Sequence, residues 1–344
     1  MSAGPVVALR FERGALWALD QTRLPWQELE LELRDAEAVA AAIRCLAIRG
    51  APLIGVAAGY GVALALSRDP DGLEAACATL TATRPTAVNL SYAVQRVRAA
   101  ALASPGDGPA AALAEAHALH ADEIAASDAL ARHGADWLAG CSRLLTHCNT
   151  GALAAPGRGT ALAVVAELAQ RGELELVLAA ESRPLLQGAR LTVYELRRLG
   201  IAHELIVDGA AAGLIAAGEV DAVILGCDRV AANGDVANKV GTYAHALAAA
   251  AAGIPFVVAG PTSTIDSACA SGAEIEIEQR DGSEVRAPVL GSGHVAAELT
   301  LADTPCRNPA FDVTPAALIS ALVTERGIVS PAGGESVLGL LSGG

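Results

Sequence analysis

The sequence predicts an α/β fold: a mostly helical N-terminal domain with a small antiparallel sheet, followed by a Rossmann-like C-terminal domain with a parallel sheet. Three successive patterns predict this fold. Apolar and polar residues alternate from about residue 6 to 33, Ala-rich stretches fill about residues 35 to 135, and short apolar runs separated by helix-length stretches begin at Ser142. We place the domain boundary near residue 130, which divides the chain into residues 1–130 and 131–344.

The first 33 residues are expected to form short antiparallel strands with one solvated face, because every second residue is apolar over two stretches. The alternating apolar residues are Val7, Leu9, Phe11, Leu29, Leu31 and Leu33. The Ala-rich stretch then predicts several helices, because alanine favours helix and turn residues interrupt the stretch. The interruptions are Pro70-Asp71-Gly72, Arg84-Pro85 and Ser104-Pro105-Gly106-Asp107-Gly108.

One helical segment has the composition of a membrane span, since residues 50–67 carry no charge. The segment is barely long enough to cross a bilayer, and it contains Pro52 and four glycines. A buried helix that begins at a Gly-Ala-Pro turn explains these features better. Residues 1–5 also lack a basic region followed by an apolar stretch, so we predict no membrane association, no secretory signal and a cytoplasmic protein.

The C-terminal half alternates short apolar runs with helix-length stretches, which predicts crossover units and a parallel sheet. The runs expected to form strands are residues 143–147, 174–179, 203–207, 222–225 and 255–258. Residues 273–285 instead alternate strictly between polar and apolar and then turn at Asp281-Gly282, which predicts a hairpin with a polar face.

Composition and charge exclude several classes of function. The formal net charge is −14 and the pI is about 4.9, which argues against a nucleic-acid partner because such binding requires Lys and Arg to neutralise phosphates. The 24 Lys and Arg residues are scattered, so an anionic substrate would need a local positive pocket. Seven cysteines without CxxC spacing, and histidines without HxxxH or HxH spacing, predict reduced thiols, no metal and no cofactor.

Polar residues follow several of the predicted strands, and they are candidates for one active site. They lie at residues 146–151, 181–188, 226–239 and 260–264. The carboxyl ends of the strands in an open parallel sheet face one crevice, so loops that are far apart in sequence converge there. We therefore expect Cys148 and Asp228 to share a site.

Each of these two residues also has a more ordinary interpretation. Cys148 could be a small buried apolar residue, whereas Asn149-Thr150-Gly151 suggests a strand-to-helix turn whose N–H groups lower a thiol pKa or hold a phosphate. Asp228 could cap a helix, pair with Arg229 or act as an acid or base. His147 precedes the thiol, but adjacent side chains of a strand point to opposite faces, so we expect it to be packed or hydrogen-bonded.

Three further segments contain groups suited to an anionic ligand. Arg49-Gly50-Ala51-Pro52 could present a helix N-terminus to an anion, or simply begin a helix. Arg84 lies in a second arginine-bearing turn, or is exposed before a helix. Asn238-Lys239 suits a sugar hydroxyl and a phosphate, or forms a surface pair. Residues 289–297 imitate the dinucleotide fingerprint, but turn-rich sequence follows them, so we expect no NAD binding.

Taken together, six ordered blocks of the sequence resemble the methylthioribose-1-phosphate isomerase family, the aldose–ketose isomerases of methionine salvage. These isomerases form one branch of a family that also contains the alpha, beta and delta subunits of a translation-initiation exchange factor. The blocks are residues 47–52, 84–90, 146–151, 181–190, 228–242 and 308–315.

The resemblance implies a role for particular residues. It implies that Cys148 and Asp228 are the catalytic pair. The substrate-binding residues that it implies are Arg49, Gly50, Ala51, Arg84, Gln187, Asn238 and Lys239. It also implies a homodimer that converts 5-methylthio-D-ribose 1-phosphate to 5-methylthio-D-ribulose 1-phosphate. The sequence departs from the family at Cys227, where a small residue is usual, and at residues 290–305, which do not look like the usual connection.

Two alternatives stay open at this point. The first is a related isomerase of 5-deoxyribose 1-phosphate or ribose 1,5-bisphosphate, and the second is a non-catalytic binding protein of the exchange-factor type, which should lack the catalytic pair. A sugar that is phosphorylated at its anomeric oxygen cannot open its ring spontaneously. Our hypothesis is that Asp228 protonates the ring oxygen and that Cys148 assists the transfer between C1 and C2, as a thiolate base or by stabilising charge. The sequence does not decide between proton and hydride transfer.

Overall fold

The computed structural model describes residues 4–84, 87–290, 295–296 and 298–341. Its N-terminal part begins with the predicted antiparallel sheet, whose strands pair in the order β1-β2-β3. The strands are β1 (Leu9–Glu12), β2 (Ala15–Leu19) and β3 (Glu30–Leu33). In β3, Leu33 is buried while Glu30 and Glu32 are exposed, which confirms that one face of the sheet is solvated.

Five helices follow, and the predicted turn segments separate them. They are α1 (Ala36–Arg44), α2 (Ala51–Arg68), α3 (Leu73–Thr81), α4 (Val88–Ala103) and α5 (Gly108–Trp137). Within the described ranges, α2 is the helix that is long and apolar enough to span a membrane, and 83% of it is buried inside the fold. Its small residues permit close packing, since a Cβ at Gly55 would lie 2.8 Å from the carbonyl oxygen of Asn89 on α4. The uncharged segment is therefore a core helix, as predicted.

Helix α5 runs through the predicted domain boundary. Ala112, Ala116 and Leu119 in its first half belong to the core of the N-terminal helices. From Leu130 onward its buried residues join the core of the C-terminal sheet. The division at residue 130 stays a prediction, and one continuous helix connects the two cores.

The C-terminal part contains the remaining strands and helices. The strands are β4 (Arg143–Thr146), β5 (Leu176–Ala180), β6 (His203–Ile206), β7 (Ala222–Leu225), β8 (Arg229–Ala231), β9 (Val236–Lys239), β10 (Phe256–Ala259), β11 (Ile265–Asp266), β12 (Val289–Leu290), β13 (Val295–Ala296), β14 (Phe311–Thr314), β15 (Ala321–Thr324) and β16 (Gly327–Val329). The helices are α6 (Ala161–Arg171), α7 (Val193–Leu199), α8 (Ala211–Ala216), α9 (Thr242–Ala252) and α10 (Ser283–Arg286).

Seven of these strands form the main sheet, in the order β16-β15-β10-β7-β4-β5-β6. All neighbours pair in parallel except β15 and β16. The adjacent residues Leu144 and Leu145 of β4 pack into separate cores, which is expected when both faces of a parallel sheet are covered. The chain runs outward from β4 to β6 and then returns to β7 on the other side of β4. This reversal of direction opens a crevice beyond the carboxyl ends of β4 and β7.

A second, smaller sheet has the strand order β11-β8-β9-β14. Strands β8 and β9 form a hairpin that turns at Asn233-Gly234-Asp235, where Gly234 has a φ of 89°. The sequence did not predict these strands, because each has only two to four residues and none has the length of an ordinary strand. The sheet matters for the site, since Asp228 directly precedes β8 and Lys239 ends β9.

The hairpin predicted at residues 273–285 is wrong. Asp281 accepts a hydrogen bond from the backbone N–H of Ser283 at 2.7 Å, and the chain there enters the short helix α10 and does not reverse as a strand. The extended backbone before it pairs with a distant segment instead. The N–H of Arg280 donates to Asn308 at 2.9 Å, and that of Ala310 donates to Glu278 at 2.9 Å.

The glycine-rich segment at residues 289–297 is flanked by strands. Strand β12 pairs with β13 in an antiparallel arrangement, whereas a dinucleotide fingerprint needs a helix after the glycine turn. Residues 291–294 and 297 of this segment lie outside the described residues.

Candidate active site

A cavity of about 470 Å³ lies at the crevice between β4 and β7. It brings together residues from both halves of the chain. Of the residues predicted for the site, its lining contains Arg49, Gly50, Arg84, Cys148, Gln187, Asp228 and Lys239. The rule that loops at strand ends converge at a switch point was therefore sufficient to bring Cys148 and Asp228 to one place.

Two predicted residues do not line this cavity. Asn238 precedes Lys239 on β9, and neighbouring side chains of a strand point to opposite faces. Its amide donates to the hydroxyl of Thr242 at 2.9 Å, so it supports the start of α9. Ala51 is buried in the first turn of α2, and the next free N–H of that turn, on Leu53, donates to the carbonyl of Ala154 at 3.1 Å. One backbone N–H group of this helix N-terminus therefore already has a hydrogen-bond acceptor within the protein.

Cys148 lies two residues after the end of β4, and hydrogen bonds hold its backbone on both sides. Its N–H donates to the hydroxyl of Ser182 at 2.7 Å, and its carbonyl accepts from the hydroxyl of Thr192 at 2.6 Å. Its backbone is left-handed, with a φ of 62°, a conformation that is costly for residues other than glycine and that recurs at functional sites. The Arg49 guanidinium approaches the thiol, with Nη2 3.9 Å from Sγ.

The turn after Cys148 differs from its predicted form. Helix α6 begins only at Ala161, so Asn149-Thr150-Gly151 is not a strand-to-helix turn. Burial raises the pKa of Cys148, and the positive charges of Arg49 and Lys239 oppose that rise. Burial has the larger effect, so the thiol is favoured over the thiolate, and the two cationic side chains limit how far the pKa rises.

Asp228 also lines the cavity and lies in the connection between β7 and β8. Because a strand and not a helix follows it, Asp228 is not a helix cap. Burial raises the pKa of its carboxyl group, as the apolar residues of β7 had suggested, and the charges of Arg84, Arg49 and Lys239 act in the other direction. Arg229 forms an ion pair with Asp266, at 3.6 Å between Nη1 and Oδ2.

The raised pKa of Asp228 has a consequence for stability. Between the ordinary aspartate pKa of about 3.9 and its raised value, the folded protein holds a proton that the unfolded chain has lost, so this group makes the fold less stable as pH rises through that window. We expect Asp228→Asn to unfold at a higher temperature than wild type at pH 8, and the two Tm values to converge at pH 4. Thermal unfolding at both pH values measures this, and equal Tm values at pH 8 would contradict it.

The cavity is locally positive although the chain is strongly acidic. Its lining contains six cationic side chains and two carboxylates, those of Asp228 and Glu284. The cationic residues are Arg44, Arg49, Arg84, Arg190, Lys239 and Arg280. Arg84 pairs with Glu278 at 2.8 Å, and Arg280 pairs with Glu278 at 3.0 Å and with Glu284. The cavity therefore has the charge that an anionic substrate requires.

Several residues of the lining were not predicted from the sequence. Arg280 and Glu284 belong to the segment that was interpreted as a hairpin, and for that reason they were not predicted to line the site. Arg190 lies inside a block that we had quoted but was given no role; it donates to the carbonyl oxygens of Gln21 and Leu24 at 3.1 and 3.2 Å. A signal for Arg190 was its position three residues after Gln187, about one helical turn away.

His147 is buried beneath the cavity and does not act on the thiol. Its Nε2 donates to the carbonyl of Val240 at 2.9 Å, and its Nδ1 lies 3.2 Å from Nε2 of His245 and 3.3 Å from the hydroxyl of Ser182. Burial lowers the pKa of His147 to about 4 and that of His245 to about 3. Both rings are neutral at pH 7, which confirms that His147 is packed and hydrogen-bonded.

The described residues contain no group of three or more His, Cys, Asp or Glu side chains arranged to hold a metal ion. Two side-chain amides at the cavity, those of Gln187 and Gln21, have buried oxygen atoms without a hydrogen-bond partner among the described residues. Buried acceptors without partners are rare in folded proteins, and both side chains belong to residues that line the cavity.

Comparisons with known proteins match most of the chain. Residues 47–331 match the family described as the initiation factor 2 subunit family. The methylthioribose-1-phosphate isomerase of Syntrophotalea carbinolica is 49% identical over 352 residues, covering 99% of each chain, and that of Anaeromyxobacter sp. is 52% identical over 313 residues, covering 90% of this chain and 89% of the relative.

Two solved structures share the fold over nearly the whole chain. The 5-methylthioribose 1-phosphate isomerase from Pyrococcus horikoshii superimposes with a TM-score of 0.85 at 37% identity, covering 94% of this chain and 92% of that one. The translation initiation factor eIF-2B subunit delta from A. fulgidus superimposes with a TM-score of 0.84 at 36% identity, covering 98% and 99%.

Proposed function

This chain belongs to the initiation factor 2 subunit family, and we propose that it is an aldose–ketose isomerase that converts 5-methylthio-D-ribose 1-phosphate to 5-methylthio-D-ribulose 1-phosphate in methionine salvage. The observation that carries this proposal is the meeting of Cys148 and Asp228 in one positively charged cavity, in a chain about half identical to isomerases over nearly its full length. The A. fulgidus neighbour has a different name, so the fold alone does not decide between enzyme and binding protein.

Asp228 is proposed as the acid that opens the sugar ring. The substrate carries its phosphate on the anomeric oxygen, so the ring oxygen must receive a proton before its bond to C1 can break. The ring oxygen leaves as a hydroxyl group, and C1 becomes an oxocarbenium carbon that still bears the phosphate. A carboxyl group whose pKa is raised by burial keeps a proton closer to neutral pH than an ordinary aspartate does. Asp228 therefore has the environment that this step requires.

Cys148 is proposed to act at C1 and C2. Moving hydrogen between these carbons requires a base on one face of the opened chain, or a group that stabilises the charge that develops there. The thiol faces the cavity, and the nearby Arg49 and Lys239 favour its ionised form. A thiolate beside these cations can accept a proton, and the cations can stabilise an oxyanion on C2.

The phosphate is proposed to bind the cations of the cavity, with Arg49, Arg84 and Lys239 as the residues that the resemblance names. The buried amide oxygens of Gln187 and Gln21, which have no donor among the described residues, would turn toward the substrate and accept hydrogen bonds from sugar hydroxyls. Apolar side chains also line the cavity and are suited to a methylthio group; they include Trp26, Leu46, Leu185, Leu191 and Phe311.

We expect Lys239→Ala to raise KM by about tenfold to a hundredfold and to change kcat much less. An ammonium group that binds the phosphate equally in the ground state and the transition state contributes to affinity, not to the chemical step. Steady-state kinetics with varied substrate concentration measures both constants. A large fall in kcat with unchanged KM would contradict the binding role and would place Lys239 in the chemical step.

Turnover of three sugar phosphates by the purified protein tests the proposed function. We expect isomerisation of 5-methylthioribose 1-phosphate to be faster than that of 5-deoxyribose 1-phosphate and ribose 1,5-bisphosphate. Preference for one of the other two sugars would retain the chemistry and change the substrate. No turnover of any of them would favour a binding protein of the exchange-factor type.

We propose a homodimer on the resemblance alone, and a cytoplasmic location because the cysteine pattern predicts reduced thiols. A light-scattering measurement of molar mass in solution tests the assembly, since each chain has a mass of 34.6 kDa. A mass close to that of one chain would contradict it.

A further inference from the structure

We propose that Glu195 is a positioning residue for Cys148, on which it acts through Asn149 and Arg49. The proposal rests on the proposed function only for the role of the thiol. Glu195 lies on α7 and is 4% exposed, directly behind the loop that follows β4. The mechanism above gives this buried carboxylate nothing to do, although a buried charge is costly unless it is fully hydrogen-bonded.

The loop after β4 surrounds the Glu195 carboxylate with donors. The amide Nδ2 of Asn149 donates to Oε1 at 2.7 Å, and the backbone N–H of Ala152 donates to Oε2 at 2.7 Å. The N–H of Leu153 approaches Oε1 at 3.5 Å. All three groups are donors, and they oppose the rise of the Glu195 pKa to about 7 that burial causes. At pH 8 the carboxyl group is therefore mostly ionised, and an ionised carboxylate only accepts hydrogen bonds. A Cβ at Gly151 would lie 2.3 Å from Oε2, so the glycine of the Asn-Thr-Gly turn makes room for this side chain.

The carboxylate determines which way the Asn149 amide points. Because Glu195 takes the NH₂ group, the carbonyl Oδ1 must face the other way, toward Arg49. Oδ1 accepts a hydrogen bond from Nη1 of Arg49, and the backbone carbonyl of Asn149 accepts from Nη2 at 3.0 Å. A reversed amide would present donors to the guanidinium, which has no acceptor.

The chain of contacts ends at the thiol. Once Asn149 holds its guanidinium, Arg49 has Nη2 3.9 Å from Sγ of Cys148. A positive charge at this distance favours the thiolate over the thiol, so the position of Arg49 affects the reactivity of Cys148. Glu195 therefore acts on the thiol indirectly, through Asn149 and Arg49. It does not contact the thiol and does not line the described cavity.

The helix that carries Glu195 is also fixed to the Cys148 backbone. A π-helical turn, Gly188–Thr192, immediately precedes α7, and such turns recur at functional sites. Its last residue, Thr192, donates a hydrogen bond to the carbonyl of Cys148 at 2.6 Å. The same helical segment thus holds the backbone of the thiol residue and orients the cation beside it.

Alkylation of Cys148 tests the proposal without any substrate. Glu195→Gln keeps the shape of the side chain but replaces one acceptor oxygen with an NH₂ group, so it cannot accept from both Asn149 and Ala152. We expect iodoacetamide to alkylate Cys148 about three- to tenfold more slowly at pH 8, as a tenfold smaller thiolate fraction corresponds to one pKa unit. The rate is followed on the Cys148 peptide by mass spectrometry, and kcat/KM should fall at least as much.

The matched control is Glu167→Gln on α6, whose carboxylate pairs with Arg158 and Arg171 and does not line the described cavity. We expect its Cys148 alkylation rate to equal that of wild type. Asn149→Ala is the second variant, and it tests the proposal if Glu195→Gln fails to fold. It removes the amide that connects Glu195 to Arg49 and leaves the Glu195 carboxylate in place. It should slow alkylation by a similar factor.

A purely structural role predicts the opposite sign. Loosening the loop would expose Cys148, so an unchanged or faster alkylation rate in a folded Glu195→Gln or Asn149→Ala protein would overturn the proposal. The result is separable from the proposed function: slower alkylation in variants of a protein that turns over none of the three sugars would sustain the positioning role and reject the isomerase.

Discussion

Asp228→Asn is expected to lower kcat for 5-methylthioribose 1-phosphate by about a thousandfold or more. Asparagine keeps the size of the side chain but has no proton to give to the ring oxygen, and general acid catalysis contributes about a hundred- to ten-thousandfold. Ring opening is obligatory for this substrate, so no other step can bypass the loss. The measurement is steady-state turnover at saturating substrate, with a coupled or chromatographic assay for the ketose.

Asp221→Asn provides a matched control for this variant. Asp221 immediately precedes β7, at the opposite end of the strand that Asp228 follows, and it pairs with Arg143 at 2.6 Å. It does not line the described cavity, so we expect kcat to stay within about threefold of wild type, as is usual for substitutions away from the chemistry. Asp228→Asn with more than a tenth of wild-type activity would reject the acid role.

Cys148→Ser is expected to lower kcat by about a hundredfold or more. The hydroxyl keeps the left-handed backbone and nearly the same volume, but it does not ionise near neutral pH, so neither a thiolate base nor its charge is available. KM should change by less than threefold, because the cations that bind the phosphate remain. Single-turnover measurements would place the loss in the chemical step and not in product release.

Cys227→Ala is the corresponding control. Cys227 occupies the equivalent place after β7, but burial raises the pKa of its thiol to about 12, and its sulfur lies 3.4 Å from the hydroxyl of Thr264. It is also one of the two places at which the resemblance indicated a departure from the family. We expect near wild-type kinetics, whereas a loss as large as that of Cys148→Ser would make Cys227 the reactive thiol.

The placement of Cys148 and Asp228 was predictable because it depends on a rule of topology. Each follows an apolar run, and a parallel sheet collects such positions at one edge whatever lies between them. The groups that tune them were not predictable from the same patterns. Glu195 has the sequence appearance of an ordinary acidic residue in the first turn of a helix, and only the three-dimensional structure shows that this turn faces Asn149.

Errors of sequence analysis came from local patterns that tertiary contacts overrode. Strict alternation at residues 273–285 is typical of a hairpin, but the backbone of Glu278 and Arg280 pairs with the distant residues Asn308 and Ala310. The turn after Cys148 had the composition of a helix start, yet Gly151 serves to admit a carboxylate from α7. In both cases the deciding partner lies far away in the sequence, where periodicity carries no information.

The position of the site between β4 and β7 also connects activity to the order of folding. These two strands pair directly, Leu144 with Ala222 and Leu145 with Val223, although they are nearly eighty residues apart in the sequence. Such a pairing requires closure of a long loop and is intrinsically slower than local contacts. A chain that has emerged from the ribosome only as far as β6 contains Cys148 but not yet Asp228. Recovery of turnover during refolding would therefore follow the docking of β7 against β4, and the reaction itself would serve as a kinetic probe of the central sheet.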